Sequence, residues 1–142
     1  MEPLDLLEQQ IDELLDEHET FAFETMLATK SYRNRILSAQ QKKYSITLVF
    51  FWLQTIELAK ERVRIRVAEG GHNIDNNVIE RRYISGIRNL FNIYLPIVNE
   101  VLIFDNSNGK HELIAEKIEG SNIHIINSVT FALLKLCYDN NR

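Results

Sequence analysis

The chain has 142 residues, of which 45% are hydrophobic and 25% charged, an ordinary composition for a single globular domain spanning residues 1–142. Its one cysteine, Cys137, excludes an internal disulfide and favours a reducing cytoplasm. The longest apolar run, in residues 46–53, is too short to span a bilayer, and the acidic amino terminus does not resemble a secretory signal. We therefore expect a cytoplasmic protein that does not enter the membrane.

The net charge of −4 is unevenly distributed along the chain. Residues 1–19 carry eight acids and no Lys or Arg, whereas residues 60–88 carry seven bases against four acids. This local positive field favours an anionic ligand, and the overall acidity argues against a nucleic-acid surface. The four histidines are scattered and the cysteine stands alone, so no metal-ligand spacing is found.

The first half of the chain predicts two helices and two strands. Pro3 suits the first turn of a helix whose leucines and isoleucine recur at helical spacing up to Leu15. Residues 21–26 predict a short buried strand, and Ser31 can cap a second helix that turns Tyr32 inward. Residues 45–53 are almost continuously apolar, which predicts a strand covered on both faces, as in a parallel sheet.

The second half of the chain predicts further alternating helices and strands. Thr55 can cap a helix that runs to Glu69 and stops at Gly70-Gly71, and Asp75 or Asn76 can cap the next, which runs towards residue 96. Residues 101–105 predict a buried strand before a turn at 106–109, and residues 112–118 and 123–126 predict short strands. Asn127 or Ser128 can cap a final helix through residue 138. The alternation predicts an α/β fold.

Arginines surround the glycine turn. Arg62 and Arg66 are four residues apart and share one helix face, while Arg81 and Arg82 lie in the first turns of the next helix. Two helices joined at Gly70-Gly71 would bring these guanidiniums to a common edge. Phosphoryl transfer requires such charge neutralisation, and arginine binds phosphate in a bidentate fork. The alternative is a solvated helix pair with its arginines paired to the acids at positions 61, 69 and 80.

The same residues carry a resemblance to a known family. Residues 69–74, Glu-Gly-Gly-His-Asn-Ile, with residues 79–83, Ile-Glu-Arg-Arg-Tyr, resemble the signature of zeta-toxin-like P-loop kinases, which are related to UDP-N-acetylglucosamine kinases. Residues 21–25, ending in Glu-Thr, residues 48–53, and residues 105–107, Asp-Asn-Ser, resemble further family segments in the same order. The resemblance covers roughly residues 10 to 120; Asp75 departs from it, since the family usually has proline there.

The resemblance implies a three-layer P-loop-kinase-like parallel sheet with helices on both faces, a lid over about residues 56–95, ATP with Mg as cofactor, and a UDP-sugar as acceptor. It implies catalytic roles for Arg66, Arg81 and Arg82, substrate binding by Glu24 and Thr25, and an ATP lid and adenine edge formed by Arg62, His72, Asp105 and Asn106. Alternatives exist for several of them. His72 could bond the turn backbone, Glu24 could pair with a lid arginine, and Asp105 and Asn106 could simply form the turn.

A phosphate-binding loop is missing from these residues. No Gly-x-x-x-x-Gly-Lys-Ser/Thr segment occurs, although a P-loop kinase holds its phosphates with that loop. The first two strands of the family sheet, including the one that brings the catalytic Asp, would precede Met1. We therefore expect an incomplete kinase with little or no activity of its own. The alternative is an interaction module that complements a separate P-loop half or binds an antitoxin-like partner.

The missing strands have a consequence for the sheet. In the family, the first strand lies between the strands that correspond to residues 20–26 and 46–53. Without it, we expect these two segments to pair as parallel neighbours or to accept a strand from another chain, because an unpaired buried strand edge is costly. Self-association through an open sheet edge is the corresponding prediction for oligomeric state.

Overall fold

A computed structural model describes residues 3–25 and 27–142, with side chains from residue 6 onward. The helices are α1 (Pro3–Asp16), α2 (Tyr32–Gln41), α3 (Ile56–Ala68), α4 (Asn76–Asn89) and α5 (Ser128–Asn141). The strands are β1 (Thr47–Trp52), β2 (Glu100–Asp105), β3 (Glu112–Lys117) and β4 (His124–Ile125). A π-helical turn, Leu90–Tyr94, extends α4. The α/β class predicted from the sequence is confirmed. Within the described residues, no helix has the length and apolar character needed to cross a membrane.

The helix boundaries follow from identifiable caps. The Thr55 hydroxyl accepts a hydrogen bond from the Leu58 amide at 3.1 Å, and the Asn127 side chain accepts one from the Thr130 amide at 3.1 Å. Both residues were predicted as caps. Ser31 and Asp75 occupy the predicted cap positions of α2 and α4, but their side chains make no capping hydrogen bond.

The sheet is mixed and has the order β1-β2-β3-β4. Only β1 and β2 are parallel, whereas β2–β3 and β3–β4 are antiparallel, so the prediction of a parallel sheet is wrong beyond the first pair. The reason is the length of the connections. The turn between β2 and β3, which contains Gly109 at a φ of 79°, is too short for the crossover that a parallel pair needs.

The prediction of a strand at residues 21–26 is wrong for residues 21–25, and residue 26 lies outside the described part of the chain. Aromatic packing fixes this segment instead. The Phe21 ring meets the edge of Tyr44 at 6.4 Å, and the Phe23 ring lies 5.3 Å from Tyr32 on α2. The segment therefore does not pair with β1 as predicted. Acceptance of a strand from another chain at β1 stays a prediction.

The two faces of β1 differ in burial. Trp52 is buried in the same core cluster as Val101 and Ile103 of β2 and core residues of all helices except α3. On the opposite face, Val49 is 44% exposed and Phe51 is 52% exposed. The prediction that both faces of β1 are covered is therefore wrong. Phe51 stacks on Phe104 of β2, with ring centroids 5.5 Å apart, and this contact partly shields the exposed face of β1.

Candidate anion-binding site

A cleft of about 440 Å³ lies between α4 and the segment that leads into α2. The α4 side supplies Arg81, Arg82 and Ser85. The other side is lined by Thr25, Ala28, Thr29 and Tyr32. Thr25 and the arginine pair were both predicted as site residues, and they meet here although 56 positions separate Thr25 from Arg81.

Buried hydrogen bonds hold the threonine side of the cleft against α4. The Asn89 side-chain amide donates to the Leu27 carbonyl at 2.7 Å, and the Tyr94 hydroxyl donates to the Thr29 carbonyl at 2.7 Å. Asn89 is buried and Tyr94 is fully buried, and burial raises the pKa of the Tyr94 phenol. The hydroxyl of Thr29 also accepts a hydrogen bond from the Ser31 amide. These bonds attach Leu27 and Thr29 to α4 and to the π-helical turn that extends it.

The charge in the cleft is positive. Two guanidiniums and four hydroxyl side chains line it, and none of the lining residues that the structure describes is acidic. The nearby acids of the helix pair have other partners, because Glu80 pairs with Lys60 across to α3 and Glu61 pairs with Arg64. The alternative of a solvated helix pair whose arginines pair with nearby acids is therefore confirmed at Glu61, which pairs with Arg64, whereas Glu80 pairs with a lysine. Arginine next to hydroxyl groups is a typical arrangement for binding phosphate.

A second group of predicted residues lies at the carboxyl ends of β1 and β2. The Asp105 carboxylate is buried and accepts hydrogen bonds from the Gln54 side chain at 2.7 Å and from the Ser107 amide at 3.0 Å. Arg62 donates to the Asn106 carbonyl at 2.9 Å. Asp105 and Asn106, which were expected at an adenine edge, are thus hydrogen-bonded to neighbouring protein groups, which favours their interpretation as turn formers.

The remaining predicted residues join neither group. Glu24, Arg66 and His72 are exposed and do not line the cleft. The four guanidiniums that were expected at a common edge are divided: Arg81 and Arg82 face the cleft, Arg62 contacts the turn after β2, and Arg66 lies apart.

The glycine pair has a local explanation. Gly70 has a φ of +100°, which only glycine adopts readily, and the Gly71 amide donates to the Arg66 carbonyl at 2.7 Å. A Cβ atom on Gly71 would lie 2.8 Å from that carbonyl oxygen, a contact that real Cβ atoms essentially never make. Both glycines are therefore required to end α3, with or without a nucleotide.

Several residues of the site were not found from the sequence. Ser85 could have been found, because it lies four residues after Arg81 on the same face of α4. Nothing in the sequence around Thr29, apart from its polarity, indicates a site residue. Tyr32 was predicted to face the core, and most of its surface is buried there. Tyr83 of the Arg-Arg-Tyr motif acts elsewhere: its hydroxyl donates to the Leu53 carbonyl at 2.6 Å, and burial raises the pKa of its phenol.

Arg81 and Arg82 line the cleft, whereas the Asp105 carboxylate accepts a hydrogen bond from the Gln54 side chain and the Asn106 carbonyl accepts one from Arg62. Among the described side chains, no group of three or more His, Cys, Asp or Glu residues could hold a metal ion.

Comparison with known proteins gave no match, whether to a family model, to a curated protein or to a solved structure.

Proposed function

We propose that the chain binds the phosphate of a nucleotide or UDP-sugar in the cleft between α4 and residues 25–32, as the lid-bearing part of a phosphotransferase that resembles zeta-toxin-like kinases. One observation carries the proposal. Thr25, Arg81 and Arg82, which belong to separate segments of the resemblance, line one cleft without a described carboxylate. The single free cysteine fits a cytoplasmic setting for this function.

Phosphoryl transfer would need a P-loop segment from outside these 142 residues. The open edge of β1 is where added strands would extend the sheet towards the three-layer arrangement that the resemblance implies. ATP and Mg would be held mainly by that added segment, since the loop and its lysine are the phosphate cradle of P-loop enzymes. The contribution of this chain would be electrostatic, through the arginines of α4.

Calorimetric titration with UDP-N-acetylglucosamine, ADP and inorganic pyrophosphate tests the phosphate site. Arg81→Gln removes one guanidinium from the cleft, and Arg64→Gln is the matched control because Arg64 is an exposed arginine paired with Glu61 on α3. A charge-assisted hydrogen bond contributes about 1.5–3 kcal/mol, so Arg81→Gln should weaken binding roughly 10- to 100-fold. Binding that is absent at millimolar ligand, or equally weakened by both substitutions, would refute the proposal.

The exposed β1 edge supports a second candidate function, a module that accepts a strand from a P-loop polypeptide. β1 contains no charged residue and no proline, the usual protections of an edge strand. Val49→Lys should block strand addition while Ile65→Lys on α3, a residue of similar exposure, should not. Co-purification of a polypeptide containing Gly-x-x-x-x-Gly-Lys-Ser/Thr, with ATP-dependent phosphorylation of a UDP-sugar by the pair, would support complementation. Failure of such a pair to form or to transfer phosphate would count against it.

A further inference from the structure

The cleft wall opposite α4 contains a residue in a backbone conformation that bulky side chains rarely adopt. Leu27 has a φ of 55°, in the left-handed region that glycine normally occupies. Such a conformation is strained, and it persists only where the surrounding contacts impose it. In the sequence, Leu27 lies between Thr25 and Thr29, which both line the cleft. The contacts that impose this conformation therefore also decide where the two threonines lie.

Buried contacts hold Leu27 and its neighbour in place. The Leu27 side chain belongs to the hydrophobic core and is 5% exposed. Its carbonyl accepts the 2.7 Å hydrogen bond from the Asn89 amide, and Asn89 is itself buried. Two residues further along, the Thr29 carbonyl accepts the 2.7 Å bond from the Tyr94 hydroxyl. Two buried donors thus bind carbonyls of one short segment.

The π-helical turn explains how both donors reach that segment. Asn89 and Tyr94 are five residues apart, and in a regular α-helix such residues point about 140° apart, because each residue advances about 100°. The Leu95 amide instead donates to the Leu90 carbonyl, five residues back, at 2.8 Å. This wider turn brings residues five apart towards one side of the helix, and single π-helical turns are frequent at functional sites.

The same helix supplies the charge of the cleft. Arg81, Arg82 and Ser85 line the cleft from α4, and Asn89 and Tyr94 follow in α4 and in its π-helical extension. One continuous element therefore carries the arginines and, through two hydrogen bonds, holds the segment opposite them. Groups that are already held in their binding geometry bind a ligand more tightly, because less free energy is spent on ordering them.

We propose that Asn89 and Tyr94 are positioning residues of the phosphate cleft. Neither lines the cleft; they act through the backbone of residues 27–29, which they hold at a set separation from the arginines of α4. The inference rests on the proposed function, because it concerns the same phosphate ligand. Tyr83 provides a contrast, since its hydroxyl donates to the Leu53 carbonyl at 2.6 Å and neither of these two residues lines the cleft.

Calorimetric titration with inorganic pyrophosphate should separate Tyr94→Phe from Tyr83→Phe. Each substitution removes one hydroxyl that donates to a backbone carbonyl. A loss of positioning equivalent to one neutral hydrogen bond predicts roughly 3- to 10-fold weaker binding by Tyr94→Phe, whereas Tyr83→Phe should stay within about twofold of wild type. Wild-type affinity in Tyr94→Phe, or equal weakening by both substitutions, would overturn the inference while leaving the phosphate site intact.

Hydrogen exchange followed by NMR tests the positioning role without a ligand. The Ser31 amide donates to the Thr29 hydroxyl at 3.2 Å, so its exchange rate reports on the wall. Tyr94→Phe and Asn89→Ala should each speed this exchange about 3- to 10-fold, and Tyr83→Phe should leave it unchanged. Unchanged exchange in both wall variants would overturn the inference. A wild-type chain that binds no pyrophosphate would refute the proposed function instead, and this measurement would still decide whether the two residues hold the wall.

Wild type alone supplies a measurement that does not depend on the folding of any variant. Saturating pyrophosphate should slow the exchange of the Ser31 amide. The Leu58 amide is the matched control, because it also donates to a threonine hydroxyl, that of Thr55 at 3.1 Å, and lies outside the cleft. Bound pyrophosphate that leaves the Ser31 amide unchanged, or slows both amides equally, would contradict the coupling between the wall and the ligand.

Discussion

Gly71→Ala should destabilise the protein through a steric conflict at the end of α3. The added methyl carbon would lie 2.8 Å from the Arg66 carbonyl oxygen and 3.2 Å from its carbonyl carbon. Both are backbone atoms of the helix end, so they cannot move away as the tip of a flexible side chain would. The turn must instead shift, and this lengthens the 2.7 Å hydrogen bond from the Gly71 amide to the same oxygen.

The magnitude combines two terms. Forcing an extra carbon into a packed position costs about 1–3 kcal/mol, and a weakened hydrogen bond costs about 1 kcal/mol. We expect a loss of roughly 2–3 kcal/mol, since part of the strain is relieved as the turn moves. Gly70→Ala is the matched comparison. Its Cβ would have no atom within 4 Å, so only its φ of +100° opposes the substitution, at about 1–2 kcal/mol.

Urea denaturation with two probes measures the effect. Circular dichroism reports on the helices, and the fluorescence of Trp52, the only tryptophan, reports on the core at β1, where its side chain is buried. Coincident transitions would establish two-state unfolding. A Gly71→Ala variant within about 0.5 kcal/mol of wild type, or one less destabilised than Gly70→Ala, would refute the steric reasoning.

Four further substitutions test other contacts by urea denaturation. Thr55→Ala removes the hydroxyl that caps α3 and should cost about 1 kcal/mol, whereas Asp75→Ala at the cap position of α4, where no capping bond exists, should cost less than about 0.5 kcal/mol. Asp105→Asn places an amide among three donors and should cost about 1–3 kcal/mol. Burial raises the pKa of Tyr83 in the folded state, so its contribution to the free energy of unfolding is present below pH about 10 and is lost as the pH rises further. Tyr83→Phe should therefore lose less stability than wild type between pH 9 and 11. An equal dependence of stability on pH in the two proteins would contradict this.

Local signals in the sequence predicted most helix boundaries. The caps at Thr55 and Asn127 and the stop at Gly70 depend on a few neighbouring residues, and the structure has all three. Sheet topology depends on connection length and on distant partners instead. Residues 21–25 have the composition of a strand, but the rings of Phe21 and Phe23 pack on Tyr44 and Tyr32. These residues do not form a ladder of backbone hydrogen bonds with a described strand.

The candidate site was predictable only in part. The arginine pair of α4 was found from its position after the glycine turn and Thr25 through the resemblance, and all three line one cleft. The expectation that Arg62 would join the other lid arginines followed from helix periodicity. Periodicity determines which residues share one face of a helix, but not which part of the protein packs against that face. In the structure, the Arg62 side of α3 faces the turn after β2, and the Arg62 guanidinium donates a hydrogen bond to the Asn106 carbonyl.

The glycine pair and the arginine pair therefore differ in what they say about function. Gly70 and Gly71 are needed to end α3, by backbone conformation and by steric contact respectively, so this part of the signature would persist in a protein that binds no phosphate. Arg81 has no such structural requirement, because it is exposed at the mouth of the cleft and forms no ion pair with another described residue. If ligand binding is absent, Arg81→Gln should leave both stability and solubility unchanged. Loss of ligand binding in Arg81→Gln, with stability unchanged, would therefore support a phosphate site at this cleft, and unchanged binding would refute it.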